Sequence, residues 1–508
     1  MKLTNSTQMR EMDKYAIEDL GIAGTVLMSN AAKHIAETAM EHLSLDSYAA
    51  VFCGTGDNGG DGIGAAAYLK DKGVPVRAFL VGNEEKLTSG SKQMLRLFDS
   101  LGGSLEPFYA SYELVDYLSN CEVIIDAIIG IGIDSNLQGD ALRASELINA
   151  SGAYVVAADI PSGVNADTGT IMGGAVKADT TVTFSLAKQG HFIEPGCIQR
   201  GELLVREIGI PPEIVDGAVS YVNAVTSDDV SLPRRRPDTH KGNYGRCLIV
   251  AGSVGYTGAP ALSARAASRM GAGLVFLGTP KAIYNIIASK LDEEMPFGLP
   301  DDKHGRLSAN ASGEVLRRAD ECDVCLIGPG LGSSMDITEM VLSAIRIVKT
   351  PIILDADGLN AISGHIEVLA QAAGQLVLTP HDGEFTRLGG NPGNGGDRLR
   401  EARMFAMKHR CILVLKGHRT ITALPDGAAF INTTGSPAMA KGGVGDVLAG
   451  MITSLVGQKI PIEEAVYTAV YLHGLAGDMC AAEYGEYSVT ASDIIAMLPK
   501  AILAVTGV

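Results

Sequence analysis

The sequence predicts an α/β protein of two domains, a doubly wound parallel sheet in the first half and a second α/β domain after it. Short apolar runs of strand length alternate with stretches whose apolar residues recur at helical spacing. Glycine supplies 61 of 508 residues, well above the usual ~7%, and gathers where apolar runs end, the position of ligand loops in such sheets. The pattern breaks between Pro211-Pro212 and Pro233, which places a domain boundary near residue 220 and assigns residues 1–220 and 221–508 to the two domains.

Composition limits what such a protein does. A net charge of −17 and a pI near 5.1 exclude a nucleic-acid binder, which needs a basic stripe; Arg234-Arg235-Arg236 is the only basic run and reads as linker decoration. The first 14 residues contain Glu11 and Asp13 and no apolar core, unlike a signal peptide, and no apolar run nears the ~20 residues of a membrane span. A cytoplasmic protein with no membrane partner is expected. The eight cysteines fall mostly within apolar runs, as reduced core thiols do. Cys322 and Cys325 have CxxC spacing but lead into Leu326-Ile327, so a buried strand is expected there rather than zinc.

In the first half, residues 7–20 and 24–43 read as helices, 48–53 as a strand, and 63–72 as a helix after the glycine-rich stretch 54–62. Strands follow at 74–81, 121–129 and 153–158, with helices at 89–101 and 140–150 between them. Oxygen-bearing side chains sit where strands end: Asn58, Asp126 and Ser162 form a set that suits a hard cation, although each taken singly also suits a turn cap. Residues 54–62 lack the redox-dinucleotide fingerprint, because no acidic residue closes a strand about twenty positions on. Asn58-Gly59-Gly60-Asp61-Gly62, the run from Asp126 to Gly132, and Asp159-Ile160-Pro161-Ser162-Gly163 resemble the NAD(P)H-hydrate epimerase family, with a Rossmann-like sheet. The resemblance implies that Asn58, Asp126 and Ser162 hold potassium. It implies that Asp57, Asn58, Gly59, Gly60 and Asp61, then Gly130, Ile131, Gly132, Ile133, Asp134, Ser135 and Asn136, and Asp159 line the substrate site. Asp159 is then the acid/base for inversion at C6 of the nicotinamide ring. That family usually has Asn-Asn where this chain has Asp57-Asn58. Lys188, after a strand at 181–186, points to the same crevice but stays outside the catalytic set, since lysines there are commonly exposed.

The second half resumes with strands at 246–250, 324–327, 352–354, 376–378 and 412–415, and a helix ending near Gly271. Their ends carry Gly328-Pro329-Gly330-Leu331-Gly332, Asp355-Ala356-Asp357-Gly358, Thr379-Pro380-His381, and Lys416-Gly417-His418-Arg419-Thr420. Lys441-Gly442-Gly443-Val444-Gly445-Asp446 then opens an apolar helix. Bare amides and a helix N-terminus make an anion cradle, and a carboxylate at its mouth suits proton removal from a hydroxyl brought to the phosphate. A tight loop with a capping Asp is the plainer reading of the same residues. Together these loops resemble the ribokinase-like fold, and within it the ADP-dependent NAD(P)H-hydrate dehydratase family. The resemblance implies that Ala259, Gly330, Gly332, His381 and Asp446 contact the hydrate. It puts Lys416, Gly417, His418, Arg419, Thr420 and Gly445 on the adenine nucleotide, with magnesium accompanying ADP. Threonines are usual in the family where Lys441 and Val444 stand, and proline where Asp382 stands.

Epimerase followed by dehydratase implies one polypeptide that acts on NADHX and NADPHX with ADP, as a homo-oligomer. Two rivals stay open on the residues: a small-molecule kinase using the same Asp446 cradle, and a first half that is a non-catalytic nucleotide-binding module.

Overall fold

The computed structural model describes residues 1–45, 47–217, 220–393 and 398–507. The chain divides into two compact units, one spanning Lys2–Val222 and one that runs from Asn223 and includes Met1.

The first unit is built on a seven-stranded sheet in which every neighbouring pair whose register is defined runs parallel. Its order is Leu105–Pro107, Val76–Leu80, Tyr48–Cys53, Cys121–Ala127, Tyr154–Ala158, Thr180–Phe184, Glu202–Arg206. The chain reverses its winding between Tyr48–Cys53 and Cys121–Ala127, which opens a crevice beyond those strands' carboxyl ends. Both faces are covered, and the strand residues alternate accordingly. Ala49, Val51 and Cys53 join the core under the helices Gly24–Met40 and Asp57–Asp71, while Ala50 and Phe52 join the opposite core with Phe79, Phe108 and Ile148.

Most boundaries fall within three residues of the sequence expectation, and two differ by more. The first helix, Ser6–Lys14, passes into a π-turn over Tyr15–Asp19 rather than continuing to residue 20. The helix after the first strand starts at Asp57, six residues early, so its first turns contain the glycines expected to form a loop. Close packing is the reason: a Cβ on Gly59 would stand 1.9 Å from the Gly54 carbonyl oxygen, and one on Gly62 would stand 2.5 Å from Ala127 Cβ.

The second unit holds a ten-stranded sheet. Met295–Leu299, Leu274–Pro280, Arg246–Val250, Val324–Ile327, Ile352–Leu354, Leu376–Leu378 and Ile412–Leu415 lie side by side and parallel. Ile421–Ala423 and Ala429–Asn432 add an antiparallel hairpin, with Val222–Val225 beyond it. Five of the strands have the expected bounds, and all five end on one edge of the sheet. The helix Val444–Gly457 lies against the helix Gly258–Arg269 so closely that a Cβ on Gly450 would stand 2.2 Å from the Ser263 carbonyl oxygen.

None of the eight cysteines forms a disulfide, and all are buried. Cys325 lies within its strand as expected, and burial pushes the Cys53, Cys247 and Cys325 thiols well above their ordinary range. Arg235 donates to the Gly271 carbonyl and stacks on Tyr244, its Cζ 3.9 Å from the ring centroid, which fits a structural role for that basic run. Among the described residues, no helix is long and apolar enough to cross a membrane.

Candidate active sites

A cavity of about 540 Å³ opens in the first unit where the sheet reverses its winding. Asp57, Asn58, Asp61, Gly130, Ile131, Gly132 and Asp159 line it, together with Arg10, Asp13 and Lys188. Gly59 and Gly60 are buried in the helix beside it, Ile133 is a core residue, and Asp134, Ser135 and Asn136 are exposed and lie outside its lining.

Lys188 is the main departure from the sequence expectation: it is only 1% exposed, and its Nζ lies 2.5 Å from Asp159 Oδ1. Thr183 Oγ1 donates to the same carboxylate oxygen at 3.0 Å and accepts from Lys188 at 2.8 Å. A buried ammonium without a partner is costly, so the pair forms a unit. Asp159 itself takes up φ +65°, a strained backbone conformation for a residue with a side chain. Burial, then the charge of Asp159, pushes the Asp61 carboxyl well above its usual range, and burial lifts Asp13 to about 6. Asp13 had no sequence signal; it is an acidic residue on an amphipathic helix, and only the fold brings it to the cavity.

Asp126 and Ser162 are fully buried. Asp126 accepts from the Ser162 amide at 2.7 Å and hydroxyl at 2.6 Å, and burial raises its carboxyl to about 6 despite those bonds. Asn58 lines the cavity with both polar atoms of its amide buried and unpartnered, and its Oδ1 would stand 3.0 Å from a Cβ on Gly130. An orphaned amide oxygen is a ligand position in search of a donor or cation.

In the second unit the strand ends bring their loops together. Gly443, at φ +90°, caps the helix Val444–Gly457, so Gly445 and Asp446 sit in its first turn. A Cβ on Gly445 would stand 3.4 Å from Lys416 Nζ. Lys416 in turn donates to Asp355 Oδ1 at 2.8 Å and lies 4.0 Å from Glu384 Oε2. Burial opposes the Lys416 charge, but Asp355 and Glu384 outweigh it, so the ammonium is retained. Asp446 is pushed up to about 7, by burial first and then by Asp355, with Lys416 pulling the other way.

His381 caps the helix Asp382–Arg387, its Nδ1 accepting from the Gly383 amide at 3.0 Å, and its backbone bridges to Lys416. Gly330 and Gly332 have φ of +65° and +75°; Gly332 donates to Asp357 Oδ2 at 2.8 Å, and Ala259 Cβ would lie 3.3 Å from a Cβ on Gly330. Thr420 Oγ1 donates to the Gly417 carbonyl at 2.9 Å, Arg419 donates to the Thr433 carbonyl at 2.7 Å, and His418 is exposed at the loop's tip. Asp355 falls in a loop marked by the sequence and Glu384 in the helix just after another, yet their pairing with Lys416 is not legible there. Lys441 turns away from the cradle to the Tyr487 and Val489 carbonyls, and Asp382 pairs with Arg398.

Residues 24–190 match the YjeF-related protein N-terminus family, and residues 247–500 match the NAD(P)H-hydrate dehydratase family. A bifunctional NAD(P)H-hydrate repair enzyme Nnr from Thermofilum pendens is 38% identical over 511 residues, covering 99% of this chain and 97% of that protein. The chain belongs to the bifunctional NAD(P)H-hydrate repair enzymes. The Moorella thermoacetica member is also 38% identical, covering 98% of this chain and 96% of its own. A crystal structure of the ADP/ATP-dependent NAD(P)H-hydrate dehydratase from Bacillus subtilis, co-crystallised with ATP and Mg²⁺, is 30% identical; the match covers 56% of this chain and 99% of that one, with a TM-score of 0.48. A repair enzyme of two activities needs two sites, and each unit of the fold holds a candidate for one.

Proposed function

We propose that residues 1–220 interconvert the (R) and (S) epimers of NADHX and NADPHX, and that residues 221–508 dehydrate the (S) epimer at the expense of ADP, releasing AMP and phosphate. Two carboxylates in unlike settings support this most directly: Asp159 in contact with an ammonium, and Asp446 pushed up to about 7 beside an amide cradle.

Inversion at C6 breaks the C6–O bond with the help of the ring nitrogen's lone pair and re-forms it on the other face. Lys188 gives a proton to the departing oxygen and Asp159 takes one from the returning water. Their 2.5 Å contact then passes the proton back to Lys188. Substrate binding falls to the cavity residues around Asp57, Asn58 and Gly130. Asp134, Ser135 and Asn136 would engage only a part of the substrate that extends beyond the cavity. In this reading Asn58, whose amide oxygen is orphaned, would hold potassium together with the hydrogen-bonded pair Asp126 and Ser162, and the ion would supply positive charge next to the substrate.

In dehydration, Asp446 accepts the C6 hydroxyl proton as that oxygen attacks the β-phosphorus of ADP and AMP departs. Amides at the start of Val444–Gly457 hold the transferred group, with Lys416 beside them. The C6–O bond then breaks, phosphate leaves, and loss of a proton from C5 restores the dihydropyridine. Among the described residues no three His, Cys, Asp or Glu side chains form a metal cluster. Magnesium would be carried mainly by the nucleotide phosphates, where it would neutralise their charge. A cytoplasmic location and a homo-oligomeric state belong to the same reading.

The test is the full chain with an epimeric hydrate mixture, ADP and magnesium. Complete return of the reduced cofactor's absorbance with stoichiometric inorganic phosphate is expected. Recovery limited to the (S) fraction removes the epimerase role, and a lasting phosphate ester in place of free phosphate makes the second unit a kinase.

A further inference from the structure

His191 takes no part in the steps above, yet it is 0% exposed and packed directly behind them. It ends the short turn Gln189–His191 that follows Lys188. The two ring nitrogens have different partners. The backbone N–H of Lys188 donates to Nδ1 at 3.1 Å, so Nδ1 carries no proton, and Nε2–H donates to the main-chain carbonyl of Asp159 at 2.9 Å. Burial, then the neighbouring Lys188 charge, lowers the ring to about 3 and keeps it neutral. Arg200 Nε donates to the His191 carbonyl at 2.7 Å and fixes the turn.

The backbone of Asp159 needs such an anchor. Its φ of +65° is strained for an L residue, and relaxation would swing the carboxylate out of register with Lys188. We propose that His191 is a positioning residue of the epimerase site: one neutral imidazole bridges the backbones of Asp159 and Lys188 and thereby sets the contact between their side chains. This rests on the reading of Asp159 and Lys188 as the proton-transfer pair.

The test follows conversion of pure (R) epimer by the full chain without ADP, which keeps the second site silent. H191N retains an acceptor near the Nδ1 position and loses the donor to Asp159; H191Q can place an amide N–H where Nε2–H was. H191N is expected to lower kcat about 10- to 100-fold with KM held within about threefold, and H191Q to recover at least part of the loss. ADP-dependent dehydration of pure (S) epimer by the same preparations is expected to be unchanged and reports folding. Wild-type kcat in H191N, a loss expressed in KM, equal loss of both activities, or no recovery in H191Q overturns the proposal. Should H191N not fold, the ring ¹⁵N shifts of the wild-type chain carry the test: they should show the Nε2–H tautomer without titration from pH 5 to 9, and the other tautomer or a titrating ring overturns it. A wild-type chain that leaves (R) epimer untouched refutes the epimerase reading itself, an outcome distinct from all of these.

Discussion

Lys188 Nζ lies 2.5 Å from Asp159 Oδ1, with the lysine buried and the aspartate on a cavity wall. Lys188→Met leaves that carboxylate without its cation. Removing one partner of a buried pair costs roughly 3–5 kcal/mol, so the first unit should melt earlier by calorimetry. Epimerisation should fall by at least ~100-fold, while dehydration of pure (S) epimer persists.

Asp446 must be ionised to accept a proton. With its carboxyl near 7, kcat/KM for dehydration should rise about tenfold per pH unit below that value and level above it. Asp446→Asn should lower the rate by about 10²–10⁴ and remove this limb, which a pH profile on pure (S) epimer will show.

The same shift has a stability consequence of opposite sense to that of a salt-bridged carboxylate. The folded state binds the Asp446 proton more tightly than the unfolded chain, so its stabilising contribution is full below the ordinary carboxylate range and is lost as pH rises through about 7. Asp446→Asn should therefore raise the melting temperature of the second unit at pH 8, and the gain over wild type should shrink toward pH 5.

Asp355 contributes negative charge to both neighbours: it helps Lys416 keep its proton and raises Asp446. Asp355→Asn should move the acidic limb of the dehydration profile to lower pH. It should also weaken ADP binding, measured by calorimetric titration, because Lys416 loses its 2.8 Å anchor.

Replacing potassium by choline in the buffer should lower the melting temperature of the first unit. In Asn58→Ala, which lacks the orphaned amide, that difference should vanish.

The parts of the fold that were legible are those where chemistry is local. Five buried parallel strands of the second unit, such as Val324–Ile327, are short apolar runs that give way to glycine-bearing or polar loops, and little else fits that pattern. Leu274–Pro280, Met295–Leu299 and the hairpin Ile421–Ala423 with Ala429–Asn432 were not named, the hairpin strands being too short to show alternation. The helix at Asp57 was placed late because its glycines argue for a loop, and only the neighbouring Gly54 and Ala127 reveal that they permit contact instead. Asp446 stands out by its helix-start position, and Asp159 by the family resemblance at its strand end. Lys188, His191 and Asp355 were missed as partners because a buried lysine or histidine reads like a solvated one until its tertiary neighbour is known.

The burial of every cysteine has a practical sequel. With all eight thiols shielded and several of them held protonated, mild alkylating or oxidising reagents find no native target on the folded chain. A single cysteine engineered on an exposed loop would thus become a unique handle for a fluorophore or spin label, allowing each half to be watched during turnover without first stripping the native thiols.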